Sequence, residues 1–116
     1  MLISNRIFCI ALLIAQTDIK VSIASIEEFL GSKRNFENYK KNKLLRRAVE
    51  RELEIIGEAT NRILNLNNNI EISEARRIVN LRNMVIHAYD SVDDIIIWGI
   101  ISKDIPKLKK EVDKLI

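Results

Sequence analysis

The chain has 116 residues, 47% hydrophobic and 30% charged, with a formal net charge of +3. That balance excludes a disordered chain, and the length allows only a modest core that a partner copy would enlarge. Three glycines, one proline and many Ile, Leu, Glu, Lys and Arg residues favour an all-helical fold over a turn-rich one. The lone cysteine, Cys9, excludes an internal disulfide; set among apolar neighbours, it reads as inert core in a reducing, cytoplasmic setting.

A first helix is predicted from about Ser4 to Leu30, with Ile7, Ile10, Ala11, Ile14, Val21, Ala24 and Leu30 recurring at helical spacings. Its first half is apolar all round, so it is expected to be buried on more than one side, either in the core or against another chain. The run Ile7 to Ala15 behind Arg6 resembles a signal peptide faintly. It is too short to span a bilayer, and Gln16, Asp18 and Lys20 continue a helical pattern. Neither secretion nor a membrane partner is expected. Gly31 and Ser32 end the helix, and Gly31 to Asn38 reads as a polar, basic loop.

A second long helix is predicted from about Asn42 to Leu66, with Leu45, Ala48 or Val49, Ile56, Ala59, Ile63 and Leu66 inward and Gly57 at a close helix approach. Asn67 to Asn69 is a loop. Ser73 caps a third helix from Glu74 to about Ile86, with Ala75, Ile78, Val79, Leu81 and Val85 inward. Ser91 and Asp94 form a capping-box-like start for a fourth helix, from Val92 to about Ser102, so the chain bends between His87 and Asp90. Asp104 caps and Pro106 starts a short last helix, with Leu108, Val112 and Leu115 inward. The expected fold is all-α, a four- to five-helix up-and-down bundle forming one domain over residues 1–116.

Two stretches carry chemistry. Lys33 to Arg51 is strongly basic, and Lys40, Lys41, Lys43, Arg46 and Arg47 are its candidate RNA-binding residues; a merely solvated helix start and loop is the alternative. The segment Arg82 to Tyr89 holds the only histidine, His87, with Arg82, Asn83 and Tyr89 close by. On a straight helix Arg82 and His87 stand about 140° apart, but a helix ending at His87 lets the imidazole swing back toward Arg82. A histidine moves protons near neutrality, an arginine holds a phosphate through two hydrogen bonds, Asn83 orients either, and the Tyr89 phenol donates to an oxyanion. This set suits metal-free RNA cleavage, in which the 2′-hydroxyl is the nucleophile. One histidine per chain is thin for both a base and an acid, and a symmetric dimer would supply two. The structural alternative is that His87 only caps a helix and Arg82 pairs with a carboxylate. Trp98 reads as core, and Glu54 and Glu58 either approach the motif or pair with Arg51 or Arg62. No Gly-rich phosphate loop, paired-cysteine motif or histidine cluster is present, and neither a metal nor a cofactor is expected.

Arg82-Asn83-x-x-x-His87-x-Tyr89 resembles the R-N-x-x-x-H-x-Y signature of HEPN-domain toxins of the HepT type. Arg47 to Ala59 (RAVERELEIIGEA) resembles that family's second-helix block. Val92 to Trp98 and Asp104 to Leu108 resemble its closing helices. The first helix is more apolar than in that pattern, and Ile70 to Ser73 replaces the tryptophan or proline expected there. The resemblance implies a HEPN bundle that forms a homodimer with its motifs facing across a cleft. It implies a metal-independent ribonuclease toxin with Arg82 and His87 as the catalytic pair and Asn83 in support. It also implies a nucleotidyltransferase (MNT) antitoxin that adds AMP to Tyr89. The alternative is a non-catalytic helical partner or substrate of such a nucleotidyltransferase.

Overall fold

The computed structural model of the protein describes residues 5–32, 34–67, 69–70, 72, 76–80 and 94–115. Among them the chain is helical and has no strand. The elements are α1 (Asn5–Leu30), α2 (Phe36–Lys41), α3 (Lys43–Leu66), α4 (residues 76–80), α5 (Asp94–Gly99), a π-helical turn (Ile100–Asp104) and α6 (Ile105–Asp113). The all-α expectation holds among these residues.

The framework is the antiparallel pair α1 and α3, with α6 laid against the same side of α1. Its register is marked by side chains. Asp18 Oδ2 accepts from Arg62 at 2.7 Å across α1 and α3. Lys20 and Asp113 meet at 3.3 Å and Glu27 and Lys109 at 3.2 Å across α1 and α6. These pairs are half exposed and are worth less than about 1 kcal/mol each, so they set register more than stability. The buried side chains carry the stability. Leu12, Ile19, Ile23 and Ile26 of α1 meet Val49, Leu53, Ile56 and Ile63 of α3 and Leu108 and Val112 of α6 in one core. Each is worth roughly 1.5–3 kcal/mol when fully buried. Gln16, itself buried, donates through Nε2 to the Val112 carbonyl at 2.7 Å, tying α1 to α6.

The sequence expectation for α1 needs correction. Ile7, Ile10, Ile14 and Val21 are not inward; they stand on the outer face at 61%, 52%, 52% and 59% exposure. The inward stripe is Leu12, Ala15, Ile19, Ile23 and Ile26. Both sides of the helix are apolar, which led to the expectation of burial on more than one side, and among the described residues only one side is covered. Cys9, expected as inert core, is exposed for the same reason. By length and apolarity Arg6–Leu30 passes what a membrane-crossing helix needs, but its inner face is occupied by α3 and α6.

Other boundaries follow from local chemistry. Gly31 takes φ +71° and donates to the Glu27 carbonyl at 3.0 Å, closing α1 as expected of a left-handed glycine. The expected loop before Asn38 instead turns into α2, because Asn35 Oδ1 accepts from the Asn38 N–H at 3.2 Å. Asn42 ends α2 with its own N–H and starts α3 with Oδ1, which accepts from Leu45 N–H at 3.0 Å. The predicted α3 stripe holds, with Leu53 added. Asp104 is not a cap. It stays in the helical region without a capping bond, and its Oδ2 lies 3.0 Å from Arg77 Nε. Pro106 stands in the first turn of α6, as expected, but the chain reaches it without a break. It lacks an N–H, and its ring crowds the carbonyl one turn back. The preceding turn widens to π geometry, with Ile105 N–H bonding the Ile100 carbonyl, and the helix continues through it. Ile97, Ile100 and Ile101 face the core, whereas Ile95 and Ile96 are exposed. The calls on Ser73, Ala75, Leu81, Val85, Ser91 and the bend at His87 to Asp90 lie outside the described residues.

Candidate functional site

Arg82, Asn83, His87 and Tyr89 lie outside the described residues; the structure describes the framework on either side. Upstream is α4, where Ile78 is buried in the core and Arg77 reaches Asp104. Downstream is α5, which opens with Asp94 in its first turn. The described chain leaves off beyond a core residue and an ion pair on one side and resumes with the helix that holds Trp98 on the other.

Trp98 is half-buried in an aromatic cluster with Phe36 (ring centroids 5.7 Å apart) and Tyr39 (5.3 Å). Both contacts are tilted, a favourable arrangement of ring quadrupoles. The cluster locks α2 onto α5 and accounts for Trp98 as core. Tyr39 is completely buried, and its hydroxyl has no hydrogen-bond partner among the described residues. Burial holds its phenol well above the usual tyrosine range; the Glu50 and Asp94 carboxylates push the same way, and Arg46 opposes them. Glu50 is also pushed up, first by burial and then by Asp94 and Glu54, against the pull of Arg47 and Arg46. The sequence reading missed Tyr39 as a member of this cluster. The signal was present in the three-residue spacing of Phe36 and Tyr39, hidden by the basic residues around them.

The five candidate RNA-binding residues do come together, at the corner where α2 turns into α3. Lys40, Lys41, Lys43 and Arg47 are exposed, and Arg46 is half-buried. The Arg46 guanidinium donates to the Lys40 carbonyl, which fixes the corner. Glu54 takes the pairing expected of a surface residue, with Arg51 at 3.2 Å. Arg62 pairs with Asp18. Among the described residues no three His, Cys, Asp or Glu side chains group as a metal site would need.

Comparison with known proteins places this geometry in context. Residues 19–115 match the family model described as "Ribonuclease HepT-like". The protein named "Probable ribonuclease HepT" from Thermococcus cleftensis is 40% identical over 102 residues, covering 84% of this chain and 89% of that one. The protein named "Putative RNase MJ1380" from Methanocaldococcus jannaschii is 41% identical over 80 residues, covering 68% and 73%. A second protein of that organism, "Putative RNase MJ1216", is 32% identical over 106 residues, covering 85% and 88%. No solved structure matches the chain.

Proposed function

The chain belongs to the HepT-like ribonuclease family, and from that premise we propose that it is the toxin of a HepT/MNT pair, a homodimeric ribonuclease that needs no metal ion. In this reading the RNA 2′-hydroxyl attacks the adjacent phosphorus. His87 of one copy takes its proton, and His87 of the partner copy protonates the departing 5′-oxygen as the P–O bond breaks. Arg82 faces the phosphorane charge with a bidentate fork, Asn83 orients the pair, and Tyr89 lines the cleft. Lys40, Lys41, Lys43, Arg46 and Arg47 draw the RNA backbone toward the α2–α3 corner. The nucleotidyltransferase antitoxin transfers AMP from ATP to Tyr89: the phenol oxygen bonds the α-phosphorus, the α–β anhydride bond breaks, and pyrophosphate and the phenol proton leave. The added anion repels RNA from the cleft and silences it. Toxin, antitoxin and RNA meet in the cytoplasm.

The observation that carries the reading is the family match over residues 19–115, which encloses Arg82, Asn83, His87 and Tyr89 at the spacing of the family signature. The test is RNA cleavage in chelator by wild type, Arg82→Ala and His87→Ala, with helicity checked for each. Cleavage by wild type and a loss of 100-fold or more in each variant is expected. Equal cleavage by all three overturns it. Modification of Tyr89 by the co-expressed nucleotidyltransferase, with no cleavage and no growth arrest, would favour the non-catalytic partner instead.

A further inference from the structure

Lys103, Lys107, Lys110 and Lys114 follow one another in steps of four, three and four, which sets them on one side of the helix that runs from the π turn through α6. All four are exposed. The line is about 16 Å long at helical rise. Its alignment depends on the continuity through Pro106, since a break there would turn Lys103 out of line. Lys110 also belongs to the wall of a 320 Å³ groove between α1 and α6. That volume is at the lower end of ligand pockets, roughly 300–1,000 Å³. Ile23, Ile105 and Pro106 give the groove an aliphatic lining, and Arg34, from the chain just beyond α1, borders it too. The acids nearby are already paired. Glu27 and Asp113, which also line the groove, meet Lys109 and Lys20, and Asp104 meets Arg77. Arg34, Lys103, Lys107, Lys110 and Lys114 pair with no acid among the described residues.

We infer that this face of α6 binds an acidic peptide segment of a partner protein, whose carboxylates lie along the lysine line while one aliphatic side chain enters the groove between α1 and α6. Unneutralised charge selects an anionic occupant. The groove decides which kind. None of its lining residues is aromatic, so it offers no ring on which a base stacks, as binding of single-stranded nucleic acid uses. The Glu27 and Asp113 carboxylates in its wall repel a phosphate, whereas a peptide N–H donates to them. The aliphatic lining matches an aliphatic side chain. A lipid surface fits less well. Among the described residues neither the π turn nor α6 carries an exposed large apolar side chain to enter an acyl layer. The inference stands apart from the nuclease reading, since it uses none of the motif residues and none of the α2–α3 corner.

The test is fluorescence anisotropy of a labelled twelve-residue peptide of glutamates with one leucine at its centre, titrated with the full chain. Saturable binding to wild type is expected. It should weaken about tenfold with Lys107→Gln/Lys110→Gln/Lys114→Gln, and about tenfold when serine replaces the leucine of the peptide. The three lysines are exposed, so helicity and melting should hold. Arg34→Gln/Lys110→Gln, at the groove itself, decides if the triple variant fails to fold. Lys40→Gln/Lys41→Gln/Lys43→Gln should bind the peptide as wild type does, which separates this face from the other basic surface. No saturable binding by wild type, equal binding by the folded α6 variant, an equal loss in the α2–α3 variant, or indifference to the leucine overturns the inference. A deoxythymidine dodecamer, which lacks the 2′-hydroxyl, that binds more tightly than the peptide and loses affinity in the α6 variant overturns it in favour of nucleic acid. Co-sedimentation of wild type but not the α6 variant with phosphatidylserine vesicles, with no binding of the peptide, overturns it in favour of a membrane surface. RNA cleavage is read separately, so failure here leaves the nuclease reading standing, and the reverse.

Discussion

Tyr39 holds a hydroxyl in a fully buried place with nothing to bond, and an unpaired buried hydroxyl costs about 1–3 kcal/mol. Tyr39→Phe keeps the ring against Trp98 and removes only that cost. It should stabilise the fold by about 1 kcal/mol in urea unfolding, and a loss of stability would show that the hydroxyl is satisfied. Glu50 gives a prediction with a sign. Its carboxyl is raised in the fold by burial, so the folded chain binds a proton more tightly than the unfolded one. Stability contributed by the protonated form is therefore present at low pH and lost as pH rises from the ordinary carboxylate range through the raised folded value. Glu50→Gln should flatten that decline in a series of melting temperatures against pH. An unchanged slope would place the titration elsewhere.

At the scale of elements, Asn42 does two tasks, ending α2 and opening α3. Asn42→Ala leaves the backbone bonds in place but orphans the Leu45 N–H, and should cost about 1 kcal/mol in denaturant midpoint. Asn35→Ala should cost less, because α2 is six residues long and held by its aromatic contacts. The long helices were legible in the sequence because their ends are written in Gly31, Asn42 and Leu66. The short α2 was not, because its start depends on one asparagine in a basic stretch. The true inner face of α1 was not legible either, since two apolar stripes satisfy the same period and only the placement of α3 and α6 chooses between them. Continuity through Pro106 was hidden because a proline usually starts a helix, and only a widened turn lets it sit inside one. The basic corner was legible from composition. The motif residues, Arg82 to Tyr89, lie outside the described residues, so their reading rests on residue identity and the resemblance alone.

At the scale of the molecule, the radius of gyration of 14.8 Å exceeds the about 13 Å expected of a compact chain this long, in line with extents of 50 × 29 × 21 Å. The elongation follows from laying α1 and α3, 26 and 24 residues, side by side. Replacing Lys40, Lys41 and Lys43 with Gln should weaken single-stranded RNA binding and lower the slope of log affinity against log salt by about 2, at unchanged particle mass. An unchanged slope would remove this corner from the RNA path.

The bond from Gln16 to the Val112 carbonyl joins positions 96 residues apart, and α6 covers the same inner face of α1 that α3 covers. During synthesis α1 emerges first and α6 after every other described element. The core around Ile23 and Ile26 thus stays open on one side while the rest of the chain is being made. A nascent chain cannot complete this bundle before α6 has left the ribosome. If the finished bundle attacks RNA, the order of assembly itself delays the activity until α6 has been made and has docked on α1.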